Sequence, residues 1–218
     1  MNSPLHDTAL FWFRRDLRVT DNAGLYRALK AARRVYCVFV FDREILDALP
    51  SRRDRRVEFI HQSIAELKDS LKKLGGDLIV RHARADEAIP ALARELKVDA
   101  VLANEDYEPM AIARDARVRE SLREHGTGFQ TFKDTVIFEK DEILTQAGGT
   151  YSVFTPYKNA WLKKLDDFQL KPYPVAAYAK HLAVPKIKLE MPALAQLGFE
   201  ATNLPSLGIE GGEAAAAA

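Results

Sequence analysis

The sequence predicts an α/β fold, a doubly wound parallel sheet of five strands in the order 3-2-1-4-5 with helices on both faces. Five short apolar runs alternate with four segments whose apolar residues recur every three or four positions, the pattern of βαβ units. The strands are apolar almost throughout, as expected when helices cover both faces of a sheet. No internal repeat or sustained heptad indicates another architecture.

The first βαβ unit occupies the start of the chain. The first strand covers residues 10–13 and leads into a charged loop that begins at Arg14. Asp21 is the predicted N-cap of the next helix, because a carboxylate can accept from free N–H groups of a first helical turn. Residues 35–41 are β-branched and aromatic and form the second strand. The apolar face of the helix between them is formed by Leu25, Ala28, Leu29 and Ala32.

The remaining elements alternate strictly. The clearest helix has apolar side chains three and four residues apart from Val57 to Leu74, and Gly75-Gly76 ends it. After it come a strand at 78–80, a helix at 88–96, a strand at 100–103, a helix at 111–124 and a strand at 129–132.

The pattern changes near residue 135, so we divide the chain into an α/β domain, 1–135, and an interdomain linker, 136–218. A short helix begins at Thr155-Pro156, and prolines interrupt much of the chain beyond it. The ending, Gly211-Gly212-Glu213 followed by five alanines, starts a helix that lacks an apolar face. We expect the parent protein to continue into a further domain. The linker prolines are Pro172, Pro174, Pro185, Pro192 and Pro205.

Composition limits the partners of this chain. Among 218 residues, Lys and Arg number 32 and Asp and Glu 31, a net charge of +1, which predicts weak or no binding to DNA by this chain alone. No apolar run approaches the about 18 residues of a membrane span. The single cysteine, Cys37, lies in a predicted strand, which indicates a buried reduced thiol and a cytoplasmic location. We expect a monomer.

Several familiar chemistries are excluded. The connection after the first strand has neither a G-x-G-x-x-G nor a Walker sequence, so no glycine cradle for a pyrophosphate is present. The five histidines show no metal-ligand spacing, and no G-x-S-x-G elbow occurs. We therefore predict no catalytic residue and no metal ligand in this chain.

The topology nevertheless predicts a binding crevice. In open α/β sheets ligands bind beyond the carboxyl ends of the strands where the strand order reverses, here between the first and fourth strands. Arg14, Arg15 and Asp16 follow one strand, residues 104–108 follow the other, and Phe41 ends the second strand beside them. Aromatic walls with a few polar groups suit a small planar ligand. Solvated loop residues are the alternative for these charges.

Two other groups have simpler interpretations. The basic run 52–56 is interleaved with Asp54 and is expected to be a solvated helix start rather than a phosphate site. Tyr157, Lys158 and Trp161 are expected to pack the linker onto the domain rather than to bind nucleic acid.

Three motifs in order resemble those of the DNA photolyase and cryptochrome family. Residues 11–18, Phe-Trp-Phe-Arg-Arg-Asp-Leu-Arg, with Asp21-Asn22 are similar to the opening motif of that family. Residues 151–161 resemble the segment after its α/β domain, and residues 197–199 with 211–213 resemble the run that leads into its helical flavin domain. The likeness covers nearly the whole chain.

The resemblance implies a light-driven lyase that acts on cyclobutane pyrimidine dimers in UV-damaged DNA. In the family, a reduced FAD held by the helical domain donates an electron to the dimer, and an antenna pigment bound to the α/β domain supplies energy. The present chain resembles the antenna domain. Alone, it is therefore expected to hold no FAD and to repair no DNA.

The resemblance also selects an antenna type. Folate-binding members carry an Asn-Glu pair where this chain has Met110 and Ala111, whereas residues 106–109 resemble the Asp-x-Glu-Pro of members with a deazaflavin or flavin antenna. A deazaflavin or flavin antenna, or no antenna, is therefore expected in preference to methenyltetrahydrofolate. The expected pigment contacts are Arg15, Asp16, Phe41, Arg56, Asp106 and Glu108.

Two other functions remain open from the sequence alone. A cryptochrome-like blue-light sensor without repair activity would carry the same α/β domain. A free-standing nucleotide-binding α/β domain is the other alternative, and the sequence beyond Ala218 in the parent gene would distinguish it.

Overall fold

Five parallel strands form the centre of the molecule in the computed structural model, which describes residues 5–217. Their order is β3-β2-β1-β4-β5, so the predicted doubly wound sheet is confirmed. Phe11 of the central strand pairs with Cys37 on one side and with Leu102 on the other. The strands are β1 (His6–Phe13), β2 (Ala32–Asp42), β3 (Leu78–Ala83), β4 (Ala100–Asn104) and β5 (Gly128–Phe132).

The helices lie in the connections between the strands, as predicted, with one addition. A single-turn helix follows β2 directly, capped by the Asp42 carboxylate, which accepts from the backbone N–H of Glu44. The helices are α1 (Ala23–Ala31), α2 (Arg43–Leu46), α3 (Arg55–Lys73), α4 (Ala85–Leu96), α5 (Pro109–Arg123), α6 (Phe154–Lys164) and α7 (Glu213–Ala217).

The start and end of α1 differ from the prediction. The cap is Asn22, whose Oδ1 accepts from the Leu25 N–H at 2.9 Å. Asp21 has a left-handed backbone (φ 49°), and its carboxylate accepts instead from the Tyr173 N–H. Ala32 is the first residue of β2 rather than part of the helix face. The cap prediction was wrong because a contact with a residue far along the chain holds Asp21.

Side chains of each strand alternate between two apolar layers. Phe11 and Phe13 of β1 pack with Leu25 of α1 and Ile64 of α3 on one face of the sheet. Trp12 points to the opposite layer, which α4 and α5 cover. Full burial of one such side chain is worth about 1.5–3 kcal/mol. The sheet is thus stabilised from both faces.

The chain from residue 133 to 217 runs over the α/β layers with little regular structure. Its longest helix, α6, buries no residue, although Trp161 packs edge to face on Phe138 with ring centroids 5.5 Å apart. Phe138 and Trp161 both lie in the predicted linker, so this contact is internal to the linker, and the packing of Trp161 onto the α/β domain stays a prediction. In residues 5–217 no helix is both long enough and apolar enough to cross a bilayer.

Candidate functional site

A cavity of about 500 Å³ opens at the carboxyl ends of β1 and β2, beside the start of α5. The strand order reverses between β1 and β4, and the loops after both strands line this cavity with Arg15 and Asp106, so it lies where the topology predicts a ligand site. Its volume is in the range of small-molecule sites. The crevice prediction is therefore confirmed as a cavity.

The walls of this cavity are largely aromatic and aliphatic. Trp12, Phe39 and Phe41 line it from the strand ends, and Ile60 of α3 lines it too. Phe39 and Phe41 meet edge to face with centroids 5.0 Å apart, and the His61 ring stacks on Phe41. These contacts hold the aromatic rings in place, so the apolar surface is largely preformed.

The rim carries charged groups from two loops. Arg15 Nη1 lies 3.6 Å from Asp106 Oδ1 and 3.5 Å from Glu108 Oε1. Arg15 and Glu108 are about two-thirds exposed, whereas the Asp106 side chain is 11% exposed and accepts the Glu108 N–H. Ion pairs of this exposed, loose geometry contribute little stability. All three groups can therefore exchange partners with a ligand at low cost.

Alternation along the loop after β4 directs the two acids to the cavity. Asp106 and Glu108 both line it, while Tyr107 between them is absent from the lining and donates to Glu139 Oε2 at 2.5 Å. In an extended segment successive side chains point to opposite sides. The predicted orientation of these two acids is confirmed.

A charged cluster at the inner side of the cavity was not predicted. Arg14 Nη1 lies 2.5 Å from Asp115 Oδ2, and Arg114 Nη2 lies 3.2 Å from Asp115 Oδ1. Both guanidinium groups lie over the Trp12 ring, at 5.0 Å and 4.8 Å from its centroid, which is cation–π geometry. One feature of the sequence could have predicted this cluster. The spacing of Ala111, Arg114 and Asp115 puts these residues on one face of α5.

Asp16, an expected pigment contact, does not line the cavity. Its carboxylate accepts from the side-chain amides of Asn104 (2.6 Å) and Asn22 (2.9 Å), and from the Arg14 N–H. The side chain is therefore occupied in joining the loop after β1 to the end of β4. It positions Arg14 and Arg15 rather than facing the cavity.

Arg56 is the second expected pigment contact that does not line the cavity. It lies at the exposed start of α3. Its guanidinium pairs with Asp54 at 2.5 Å, and this hydrogen bond lowers the pKa of the Asp54 carboxyl. The next residue, Val57, faces the core, so Arg56 points to solvent. The solvated helix start predicted for this basic run is confirmed.

A second cavity, of about 600 Å³, lies at the end of β3 and shares Glu44 with the first. Arg43 and Arg84 line it, but Glu44, Asp47 and Glu87 do so too. The acids outnumber the arginines, so this cavity does not favour an anion.

Comparisons with known proteins identify the family. A family model described as DNA photolyase matches residues 9–177. The chain belongs to the DNA photolyase family. A deoxyribodipyrimidine photo-lyase of Halobacterium salinarum is 40% identical over 162 residues, which are 70% of this chain and 33% of the relative. The chain thus spans about a third of the length of that curated relative.

Solved photolyases share the fold. A class III photolyase from Agrobacterium tumefaciens aligns with a TM-score of 0.71 at 27% identity. The alignment covers 89% of the present chain and 38% of the Agrobacterium chain. A photolyase from Sulfolobus tokodaii aligns with a TM-score of 0.62 at 33% identity. The alignment covers 73% of the present chain and 35% of the Sulfolobus chain. The latter is described with two FAD molecules and a novel light-harvesting cofactor. Flavin cofactors therefore occur in this photolyase family.

Proposed function

We propose that this chain is the antenna-pigment domain of a photolyase that repairs cyclobutane pyrimidine dimers in UV-damaged DNA. The observation that carries the proposal is the aromatic cavity at the strand-order reversal, with Asp106 and Glu108 on its rim. The described residues show no group of three or more His, Cys, Asp or Glu side chains able to hold a metal ion. A cavity with aromatic walls and a few polar groups on its rim suits a planar pigment.

The residues present fit a planar pigment. Phe39 and Phe41 offer ring surfaces, and Arg15, Asp106 and Glu108 offer hydrogen-bond groups at the opening. When bound, the pigment would absorb light and pass the energy to the FAD held by the rest of the photolyase. The role of the chain itself is to bind the pigment, orient it and shield it from water.

We propose a deazaflavin or a flavin rather than methenyltetrahydrofolate as the pigment. Met110 and Ala111 line the cavity at the first turn of α5, where the family resemblance places the Asn-Glu pair of folate binders. A thioether and a methyl group cannot donate the hydrogen bonds that a pterin ring requires. The carboxylates of Asp106 and Glu108 offer the pigment acceptors at the rim of the cavity.

Equilibrium dialysis of the 218-residue chain tests the pigment assignment. Riboflavin and a 5-deazaflavin are expected to bind saturably, and methenyltetrahydrofolate at least tenfold more weakly, which is about 1.4 kcal/mol. Folate binding as tight as flavin binding would overturn the pigment choice. Saturable binding of none of the three would overturn the proposed pigment site.

The variant Asp106→Ala separates binding from stability. We expect pigment affinity to fall about tenfold, because a hydrogen bond to a charged group is worth about 1.5–3 kcal/mol. The unfolding free energy should fall by about 1 kcal/mol, since the carboxylate accepts one backbone N–H and has only a loose ion pair. Asp69→Ala, an exposed acid on α3, is the control and should change neither quantity. Unchanged affinity in Asp106→Ala would contradict its proposed role.

The repair activity is tested on the full-length parent. Blue light should split thymine dimers in its presence, while the 218-residue chain should bind duplex DNA weakly and leave dimers intact. A parent that binds FAD but splits no dimer would support the light-sensor alternative. A parent without a flavin domain would support the free-standing nucleotide-binding alternative.

A further inference from the structure

A buried carboxylate at the cavity has one oxygen without a hydrogen-bond partner. Asp42 lines the cavity at the end of β2 and is 6% exposed. Its Oδ1 accepts from the N–H groups of Glu44 (3.1 Å) and Ala85 (3.3 Å), whereas its Oδ2 accepts no hydrogen bond among the described residues. Buried polar atoms are normally paired, so an unpaired carboxylate oxygen beside a cavity indicates a missing donor.

The group facing this oxygen is the guanidinium of Arg114. Arg114 also lines the cavity and is 7% exposed. Its Nη1 lies 3.8 Å from Asp42 Oδ2, beyond hydrogen-bond distance, while its Nη2 and Nε donate to Asp115. An acceptor and a donor thus stand side by side at the cavity wall, where a ligand edge with a matching donor and acceptor can contact both.

The protein holds both groups in place. The two N–H donors on Asp42 Oδ1 come from α2 and α4, and they fix the plane of the carboxylate. Asp115 and the Trp12 ring fix the Arg114 guanidinium. A preorganised donor and acceptor in an apolar cavity bind a complementary ligand edge more strongly than mobile groups on the rim.

We propose that Asp42 and Arg114 bind the imide edge of the pigment, with the ring N–H donating to Asp42 Oδ2 and the adjacent carbonyl accepting from Arg114 Nη1. This inference rests on the proposed pigment site. Flavins and deazaflavins share an N–H flanked by two carbonyls, so their imide edge offers the donor and the acceptor that this pair requires. The pair also sets the orientation, because the imide enters first and the sugar-like tail points towards exposed Arg15 and Glu108.

Riboflavin and 3-methylriboflavin test the inference on the unchanged chain. The methyl group replaces the imide proton, so the hydrogen bond to Asp42 Oδ2 is lost while both carbonyls remain. Equilibrium dialysis should show riboflavin bound at least about tenfold more tightly than its N3-methyl derivative. This comparison needs no variant and stays decisive even where a variant fails to fold.

The variant Asp42→Asn tests whether the Asp42 carboxylate causes the preference for riboflavin over 3-methylriboflavin. The amide oxygen can keep the two N–H groups of Glu44 and Ala85, while the NH₂ replaces Oδ2 and puts a donor against the imide donor. The ratio of the two affinities should fall to about one. A general loss of stability would weaken both flavins alike and leave the ratio intact. Asp47→Asn is the matched control, since Asp47 pairs with Arg43 outside this cavity, and it should keep the full ratio.

The outcomes separate this inference from the proposed function. Equal binding of the two flavins by the unchanged chain, or a ratio that survives in Asp42→Asn, would overturn the imide contact while the pigment site stands. Saturable binding of neither flavin would overturn the pigment site and the imide contact together.

Discussion

Residues 6–132 and residues 133–217 are stabilised in different ways. In the first region every strand contributes to one or both apolar layers of the sheet, and many side chains are fully buried. In the second, α6 buries nothing, and Phe154 and Phe168 are about three-quarters exposed. The first region therefore supplies most of the core, whereas the second adds a few buried side chains to one of its layers and is ordered by that attachment. These side chains are Val175, Leu182, Leu197 and Phe199.

The attachment consists of separate anchors. Leu182 pairs with Val35 next to the sheet and lies against Gly76, and Phe199 inserts under the Arg52 guanidinium. Near the end of the chain, both Glu213 oxygens accept backbone N–H groups of the loop after β1. Leu182 and Phe199 join the apolar layer on one face of the sheet, but exposed chain separates them along the sequence, so each anchor should open locally.

Leu102→Ala should give the largest effect. Leu102 is fully buried in β4, and a leucine truncation at such a site costs about 3 kcal/mol through lost burial and a cavity. Leu162→Ala, on exposed α6, should change the unfolding free energy by less than about 0.5 kcal/mol. Urea denaturation measures both. Equal losses of unfolding free energy in the two variants would show that the two regions are stabilised in the same way, which would contradict the comparison.

Leu182→Ala should cost less, about 2 kcal/mol, and should act locally. The side chain is 8% exposed, and the next residue donates its N–H to the Val35 carbonyl. Hydrogen exchange should become faster at the amides of residues 182 and 183 while the β1 amides stay protected. Val184→Ala, at an exposed site two residues on, serves as the control. Loss of protection across the whole sheet would show that Leu182 stabilises the sheet as a whole rather than its own segment.

Glu213→Gln should have an effect of about 1 kcal/mol or less. The carboxylate accepts from Val19 N–H at 2.9 Å and Thr20 N–H at 3.1 Å, and an amide offers only one oxygen for the two donors. Exchange of these two amides should become faster, with exposed Glu210→Gln as the control. Unchanged exchange at both positions would mean that this anchor does not hold the loop.

The smallest effect concerns Asp134, at the boundary between the two regions. Burial raises the pKa of this carboxyl above its ordinary value of 3.8, although it accepts the Ala23 N–H and lies near Arg18, with Asp16 also nearby. A raised native pKa means that the folded state binds the proton more tightly. The associated stability is present at low pH and is lost as pH rises from about 3.8 through the raised value.

Asp134→Asn should remove this dependence, because the amide oxygen can still accept the Ala23 N–H. The unfolding free energy of the unchanged chain, minus that of the variant, should therefore decrease as pH rises above about 4. Denaturation at a series of pH values measures the difference. A difference that is flat with pH would show that the boundary carboxylate carries no burial penalty.

The sequence by itself determined the alternation of strands and helices, the positions of the main helices and, given the predicted strand order, the place of the cavity. Those features depend on local patterns: apolar runs, spacing of three and four residues, and alternation after β4 that directs Asp106 and Glu108 to one side. The reversal in strand order then places a site at one edge of the sheet without knowledge of any side-chain contact.

Only the tertiary structure decided which polar side chains face the cavity. Arg14 meets Asp115 across 101 positions, and Asp42 meets Arg114 only because β2 and α5 converge on the same cavity. Asp16 turns away from the cavity because the amides of Asn22 and Asn104 bind its carboxylate. A charged residue takes the partner that best offsets its burial, and that partner is set by the packing of distant elements rather than by neighbours in sequence.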